Sequence, residues 1–279
     1  MADPLVSPQW LAAHLRSGIL VLDIRSAVDG GGAAAYEAAH VPGAVHTDYV
    51  KDGWRATKGM ATGLLPERDR LSDLFARCGI TPASHVVIVG AGTSAGDFSA
   101  AARVYWTLKI AGHHELSVLN GGMAAWQEAG LPVESGRNAP APTSPYPVSL
   151  VAGLRSDLSA VERAVKNGDA TLLDTRSTSY FEGREKSPQA KRAGRLPEAV
   201  HLDHALSFDP ASKRLKPVPE LEQLYALPDQ PVVSYCNTGH QAATSWFILS
   251  EVLRRPGVSL YDGSMSEWTE DEARPVEVG

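Results

Sequence analysis

The segment Leu20-Val21-Leu22-Asp23-Ile24-Arg25 returns as Thr171-Leu172-Leu173-Asp174-Thr175-Arg176, 151 residues on from Asp23 to Asp174. Working outward, Val41-Pro42-Gly43-Ala44-Val45-His46-Thr47-Asp48 matches Leu196-Pro197-Glu198-Ala199-Val200-His201-Leu202-Asp203, with His46 and His201 offset by 155. Val86-Val87-Ile88-Val89 pairs with Val232-Val233-Ser234-Tyr235 at an offset of 146. Leu119-Asn120-Gly121-Gly122-Met123-Ala124-Ala125-Trp126 pairs with Tyr261-Asp262-Gly263-Ser264-Met265-Ser266-Glu267-Trp268 at 142. Four blocks in one order, with slowly drifting offsets, mean one ancestral unit used twice. The copies are residues 1–133 and 150–279. Between them, 134–149 carries Pro140, Pro142, Pro145 and Pro147, a spacing that favours an extended, semi-rigid connector.

In each copy short β-branched runs (19–23, 85–89, 116–119; 170–174, 231–235, 258–261) alternate with helical stretches such as Gln9 to Arg16, Asp97 to Ile110 and Ala242 to Leu253. Alternating strand and helix predicts an α/β fold, a parallel sheet flanked by helices in each copy. Ligands of such sheets bind beyond the carboxyl ends of strands, which directs attention to the loops after Val89 and Tyr235.

Composition removes several classes. Of 279 residues, 43% are hydrophobic and 21% charged, ordinary globular usage. No apolar run of about 18 residues exists, so no membrane partner is expected. A net charge of −6 argues against a nucleic-acid partner, which needs a basic surface. Cys78 and Cys236 are the two cysteines. They cannot build a disulfide framework or a four-cysteine zinc site, and the scattered histidines give no metal-ligand spacing, so no metal is expected. No signal-peptide pattern opens the chain, and a reducing cytoplasm is the expectation.

Tyr235 is followed by Cys236-Asn237-Thr238-Gly239-His240-Gln241 before a helix begins near Ala242. A cysteine between a buried strand and a helix start sits among backbone N–H groups that lack intrahelical partners. Those donors favour an anion, which predisposes the thiol to react as a thiolate. Gly239 permits the curvature that turns successive amides inward. Cys78, at a helix end before Gly79, reads instead as a small core residue.

The paired Asp-x-Arg segments, the His40-Val41-Pro42-Gly43-Ala44 and Arg195-Leu196-Pro197-Glu198-Ala199 blocks, the Cys236 loop and the Asp262-Gly263-Ser264…Trp268 ending together resemble the tandem-domain rhodaneses. That family contains thiosulfate and 3-mercaptopyruvate sulfurtransferases, and the resemblance covers nearly the whole chain. It implies a silent first copy and a catalytic second copy, an asymmetry repeated here because Gly90 stands where Cys236 stands. It further implies that Cys236 takes sulfur from a small anionic donor as a persulfide, held by the 236–241 amides. A thiophilic acceptor such as cyanide or a thiol then removes it, without metal or organic cofactor. By resemblance Asp174 supports the loop and Arg176 pairs with Asp174; a purely structural pair is the alternative, since Asp23 and Arg25 persist in the silent copy. His240 either assists the acceptor step or hydrogen-bonds the loop. Asn237 and Thr238 are neither the basic residues of the thiosulfate subtype nor the small ones of the mercaptopyruvate subtype. The donor's charge partner is therefore sought in the basic stretch 184–195, with Arg184 the candidate. The resemblance also implies that the long irregular segment of the silent copy from Lys51 through Trp54 to Leu64-Leu65-Pro66 covers the mouth of the site, where the two copies meet. The oligomeric state is left open.

Other readings compete. Gly92-Thr93-Ser94-Ala95-Gly96 fits the G-x-S-x-G elbow of hydrolases, but the repeat explains it as the degenerate partner of the cysteine loop. Gly90-x-Gly92-x-x-x-Gly96 is a weak dinucleotide fingerprint, with Asn120 where an acidic residue belongs. A cysteine phosphatase would need an arginine where Ala242 stands. A persulfide carrier, or a module that binds a partner without turnover, shares the fold and remains the alternative to an enzyme.

Overall fold

A computed structural model of the chain describes residues 2–29, 31–141 and 143–279, so Pro142 of the connector lies outside the described residues. In chain order the first half runs β1 (Leu5–Val6), α1 (Pro8–His14), β2 (Ile19–Asp23), α2 (Ala33–Ala38), β3 (Val45–His46), β4 (Ala56–Lys58), β5 (Ala61–Leu64), α3 (Arg68–Arg77), β6 (His85–Val89), α4 (Ala95–Ile110), β7 (Leu116–Leu119) and α5 (Gly122–Glu128). The second runs α6 (Leu158–Asn167), β8 (Thr171–Asp174), α7 (Thr178–Phe181), β9 (Val200–His201), α8 (Val218–Leu224), β10 (Val232–Tyr235), α9 (Gln241–Phe247), β11 (Val258–Leu260) and α10 (Ser264–Trp268). The α9 helix continues into π-type turns over Ile248–Val252.

The first sheet has the order β1-β7-β6-β2-β3, all parallel. The second has β11-β10-β8-β9, also parallel, and a bridge from Arg155 to Leu260 stands where β1 stands in the first. The duplication extends to the cores. Val21, Val87, Val89, Leu119, Met123 and Trp126 pack together in one; Leu172, Val233, Tyr235, Tyr261, Met265 and Trp268 occupy the matching positions in the other. Burying such side chains is worth roughly 1.5–3 kcal/mol each.

The chain divides into two compact units that do not follow the sequence halves. One comprises Met1–Trp54, Pro66–Val151 and Asp209–Leu215; the other comprises Arg55–Leu65, Ala152–Phe208 and Lys216–Gly279. Each half therefore contributes one short segment to the body of the other. The described residues of the connector 134–149 form no helix, and several of them are packed against the first half. His40 bridges Glu134, Tyr146 packs edge-on against Phe75, and Ser72 donates its hydroxyl to the Tyr146 carbonyl.

Within the segment 51–66, Trp54 is 0% exposed and donates its indole N–H to Thr47 Oγ1 beside Phe75, so it is a core residue of the first unit. An aromatic that can bury its ring and still satisfy its N–H is stable inside. The hairpin β4–β5, which follows it, belongs to the second unit.

Candidate functional site

In the second unit β10 ends at Tyr235, in register with Asp174 at the end of β8, and the chain turns from Tyr235 into the Cys236 loop. Gly239 takes a φ of +67°, the left-handed conformation that closes the loop before α9. Cys236 is 1% exposed.

The loop is held by backbone groups of the α10 region. Met265 N–H donates to the Cys236 carbonyl (3.1 Å) and Ser266 N–H to the Asn237 carbonyl (2.9 Å). In a trans peptide the N–H lies opposite the C=O, so the amides of Asn237 and Thr238 face away from α10. Ser264 Oγ accepts from both Cys236 N–H (3.1 Å) and Gly239 N–H (3.0 Å) and donates to the Tyr261 carbonyl (2.8 Å). Ser264 holds a φ of +50°, a conformation costly for a residue with a Cβ. The same two carbonyl clamps exist in the first unit, Met123 N–H to Gly90 O and Ala124 N–H to Ala91 O, and Gly122 there has a φ of +54°. Duplication thus preserved the backbone while changing the residues: Cys236 for Gly90, Asn237 for Ala91, Ser264 for Gly122.

Asp174 and Arg176 form a buried bidentate pair, with Nε–Oδ1 at 2.9 Å and Nη2–Oδ2 at 2.5 Å. Burial works against the Arg176 charge, but the Asp174 carboxylate and the nearby Tyr235 and Cys236 hold its pKa above the ordinary arginine value. Nη2 also donates to Gly194 O (2.8 Å), and Nη1 reaches Asn237 Oδ1 (3.3 Å). Arg25 pairs with Asp23 and caps Ala39 O in the same way, but Ala91 offers it no amide to reach. The pair is thus repeated in both copies, and in the second Arg176 also reaches Asn237 of the cysteine loop.

The basic stretch separates by its partners. Lys186 and Lys191 donate to carbonyls of Ala190 and Glu270. Arg192 donates to Asp271 and Arg274, and Arg195 to Phe181 and Gly279. Arg184 is paired with Glu182 at 2.6 Å and its side chain is 65% exposed. His240 caps α9 in a helical conformation, without a side-chain cap bond, and Gln241 opens that helix.

Ser264 and Asp262 are features that sequence reasoning left without a role. Asp262 accepts from Arg155 Nε (2.9 Å) and from Leu65 N–H (2.6 Å); its counterpart Asn120 accepts from Leu215 N–H (3.1 Å). The available signal was the repeat itself, which sets Ser264 against Gly122.

The hydrolase reading loses its nucleophile in the structure. Ser94 is an N-cap in a reciprocal capping box with Asp97, so its hydroxyl is committed to a carboxylate. Burial pushes the Cys78 thiol up to about 12, leaving it protonated and inert. Among the described residues no group of three His, Cys, Asp or Glu could hold a metal, and no helix is long and apolar enough to cross a membrane.

Comparison with known proteins agrees with this arrangement. The rhodanese-like domain family matches residues 7–129 and 157–271. A thiosulfate sulfurtransferase of Pseudomonas aeruginosa is 32% identical over 98% of this chain and 97% of its own. The sulfur carrier protein TtuD of Thermus thermophilus is 29% identical over 99% of this chain and 97% of its own. Among solved structures, the 3-mercaptopyruvate sulfurtransferase SseA of Escherichia coli superposes with a TM-score of 0.80 at 25% identity, covering 94% of this chain and 99% of that one. Two matched domains on a duplicated parallel-sheet fold make this chain a member of the rhodanese family, with two rhodanese-like domains in tandem.

Proposed function

We propose that the protein is a sulfurtransferase that carries sulfane sulfur on Cys236, taking it from thiosulfate in preference to 3-mercaptopyruvate and passing it to cyanide or a thiol. The observation that carries this reading is the Cys236 loop. Its first two carbonyls are bonded outward to α10, and the thiol is at a strand tip beside the buried Arg176 guanidinium. The Cys236 thiolate attacks the outer sulfur of thiosulfate. A new S–S bond forms, the donor S–S bond breaks, and its electron pair leaves with sulfite. The resulting persulfide anion is stabilised by fixed amide dipoles, which need no reorganisation during the step. Cyanide then attacks the terminal sulfur, departs as thiocyanate and regenerates the thiolate. Neither half-reaction requires a metal or organic cofactor. Arg184, whose ion pair with Glu182 is solvent-exposed, is the cation that meets the donor, while the other basic side chains of its stretch bond backbone carbonyls. Thiol chemistry of this kind calls for a reducing compartment such as the cytoplasm.

Intact mass spectrometry after incubation with each donor tests the proposal. One added sulfur per chain, mapped to Cys236, absent in Cys236→Ser and removed by cyanide, is the expected result. No sulfur from either donor, with Cys236 reduced, overturns it. A second reading, a carrier that loads sulfur and hands it only to a protein partner, is favoured by the likeness to the Thermus thermophilus sulfur carrier. It is distinguished by loading without thiocyanate turnover.

A further inference from the structure

We propose that Gly63, on the hairpin β4–β5, is a positioning residue for the Cys236 loop, because only a residue without a side chain lets that hairpin close on the Thr238 carbonyl. The inference rests on Cys236 being the sulfur carrier.

A Cβ at Gly63 would lie 1.8 Å from Thr238 O, 2.7 Å from Thr238 C and 3.1 Å from Asp262 O. Two of these are backbone contacts far inside van der Waals distance, and the atoms concerned sit on no flexible side chain. Gly63 has no positive φ, unlike Gly59 at the hairpin turn with a φ of +60°. Backbone conformation therefore explains Gly59, and close approach explains Gly63. The hairpin is fastened on both sides of Gly63: Met60 N–H donates to the Glu270 carboxylate, and Leu65 N–H to Asp262 Oδ2.

The contact acts on one peptide group. Its carbonyl end, Thr238 O, faces Gly63; its amide end, Gly239 N–H, donates to Ser264 Oγ at 3.0 Å. Among the described residues no peptide bond is cis, so the two ends point in opposite directions and the unit is clamped from both sides. Met265 and Ser266 clamp the two preceding carbonyls, and Gly63 completes the series. In the first unit, Leu215 donates to Asn120 as Leu65 does to Asp262. That match places Lys213, which lines a small cavity with Gly90 and Gly92, where Gly63 would be.

The test uses full-length protein carrying Gly63→Ala, with the exposed Lys58→Ala on the same hairpin as control. The expected result is a first-order sulfur-loading rate, at saturating thiosulfate, lower by on the order of tenfold or more, with the half-saturating donor concentration within about threefold of wild type. Hydrogen exchange at the Gly239 amide should quicken by on the order of tenfold, while Lys58→Ala matches wild type in both. Wild-type loading and wild-type Gly239 protection in Gly63→Ala overturn the inference. If wild type itself takes no sulfur, the sulfur-carrier reading fails, and Gly239 protection alone decides the role of Gly63. Should Gly63→Ala fail to fold, Glu270→Ala frees the hairpin tip without placing an atom against Thr238. It should show the same pattern at smaller amplitude, and wild-type exchange at Gly239 in that variant also overturns the proposal.

Discussion

Ser264 holds a left-handed conformation that its counterpart Gly122 adopts without a Cβ, so its hydroxyl must compensate for the strain. Removing that oxygen leaves two buried amides, Cys236 and Gly239, without their acceptor, at about 1–3 kcal/mol each. Ser264→Ala is expected to lower unfolding free energy by about 2–4 kcal/mol. Ser264→Gly is expected to cost about 1 kcal/mol less, the strain recovered. Urea titration of the pair checks this, and equal losses would show that φ carries no cost here. Both should slow sulfur loading, since the loop amides lose a fixed anchor. At Arg184 the expectation is different. Its ion pair with Glu182 is exposed and worth under about 1 kcal/mol, so Arg184→Ala should leave stability alone and raise the donor KM by about tenfold. An unchanged KM removes Arg184 from the site.

Among the elements, the loop before α4 shows what the Cys236 loop would be with its anion built in. The Asp97 carboxylate accepts from Thr93 N–H and Thr93 Oγ1, each at 2.6 Å, from Ser94 N–H at 2.9 Å and from Ser94 Oγ at 2.8 Å. Gly90→Cys would place a Cβ 3.2 Å from Asp97 O, a close contact that needs a small backbone shift, and these donors are already occupied by a carboxylate. Gly90→Cys should therefore still gain a single sulfur per chain with thiosulfate; two would show that a cysteine alone is sufficient. The same carboxylate acts on the 3-10 turn Ala27–Asp29. Burial and then the Asp97 charge, with a smaller push from Asp48, raise Asp29 from 3.8 to about 6 against hydrogen bonds from Ser26. A folded pKa above the unfolded one means the folded state binds more protons across that window. Stability therefore falls as pH rises from 3.8 to about 6, and the penalty is complete above it. Screening of this half-buried group keeps the penalty under about 1 kcal/mol. Asp29→Asn should raise Tm by about 2 °C at pH 7 and leave it unchanged near pH ~4; an equal shift at both pH values would refute the electrostatic cause. These elements were legible to different degrees. The runs 19–23, 85–89 and 116–119 became β2, β6 and β7, because buried parallel strands are written as β-branched runs. The Cys236 loop was legible from its place between strand and helix. Ser264 was not, since a serine in positive φ looks like any other serine until its backbone is seen. The burial of Trp54 was not legible either, since its indole partner Thr47 is seven residues away.

At the scale of the whole chain, the duplication was readable and the exchange was not. Strand order and core positions repeat, but Arg55–Leu65 lies outside the four repeated blocks, so the repeat does not say which unit it joins. The exchange is reciprocal, with Arg55–Leu65 in the second unit and Asp209–Leu215 in the first. It is fastened by matching bonds, Leu65 N–H to Asp262 and Leu215 N–H to Asn120. This wiring has a thermodynamic consequence. Two domains joined only by a connector unfold independently, each with its own transition. Here, unfolding one half withdraws a bonded segment from the other body, so each loses stability when its neighbour opens. Calorimetry of the intact chain should show one transition, with a van't Hoff enthalpy close to the calorimetric one. Two resolved transitions would mean that the exchanged segments contribute too little to couple the units. The same wiring gives the copy without a cysteine a reason to persist: it supplies the hairpin that closes on Thr238. Cutting the chain within 134–149 should therefore leave sulfur loading intact while the two pieces remain associated. A separately produced 150–279 piece, without Arg55–Leu65, should load sulfur far more slowly than the cut pair. Equal rates would show that the hairpin is dispensable to Cys236.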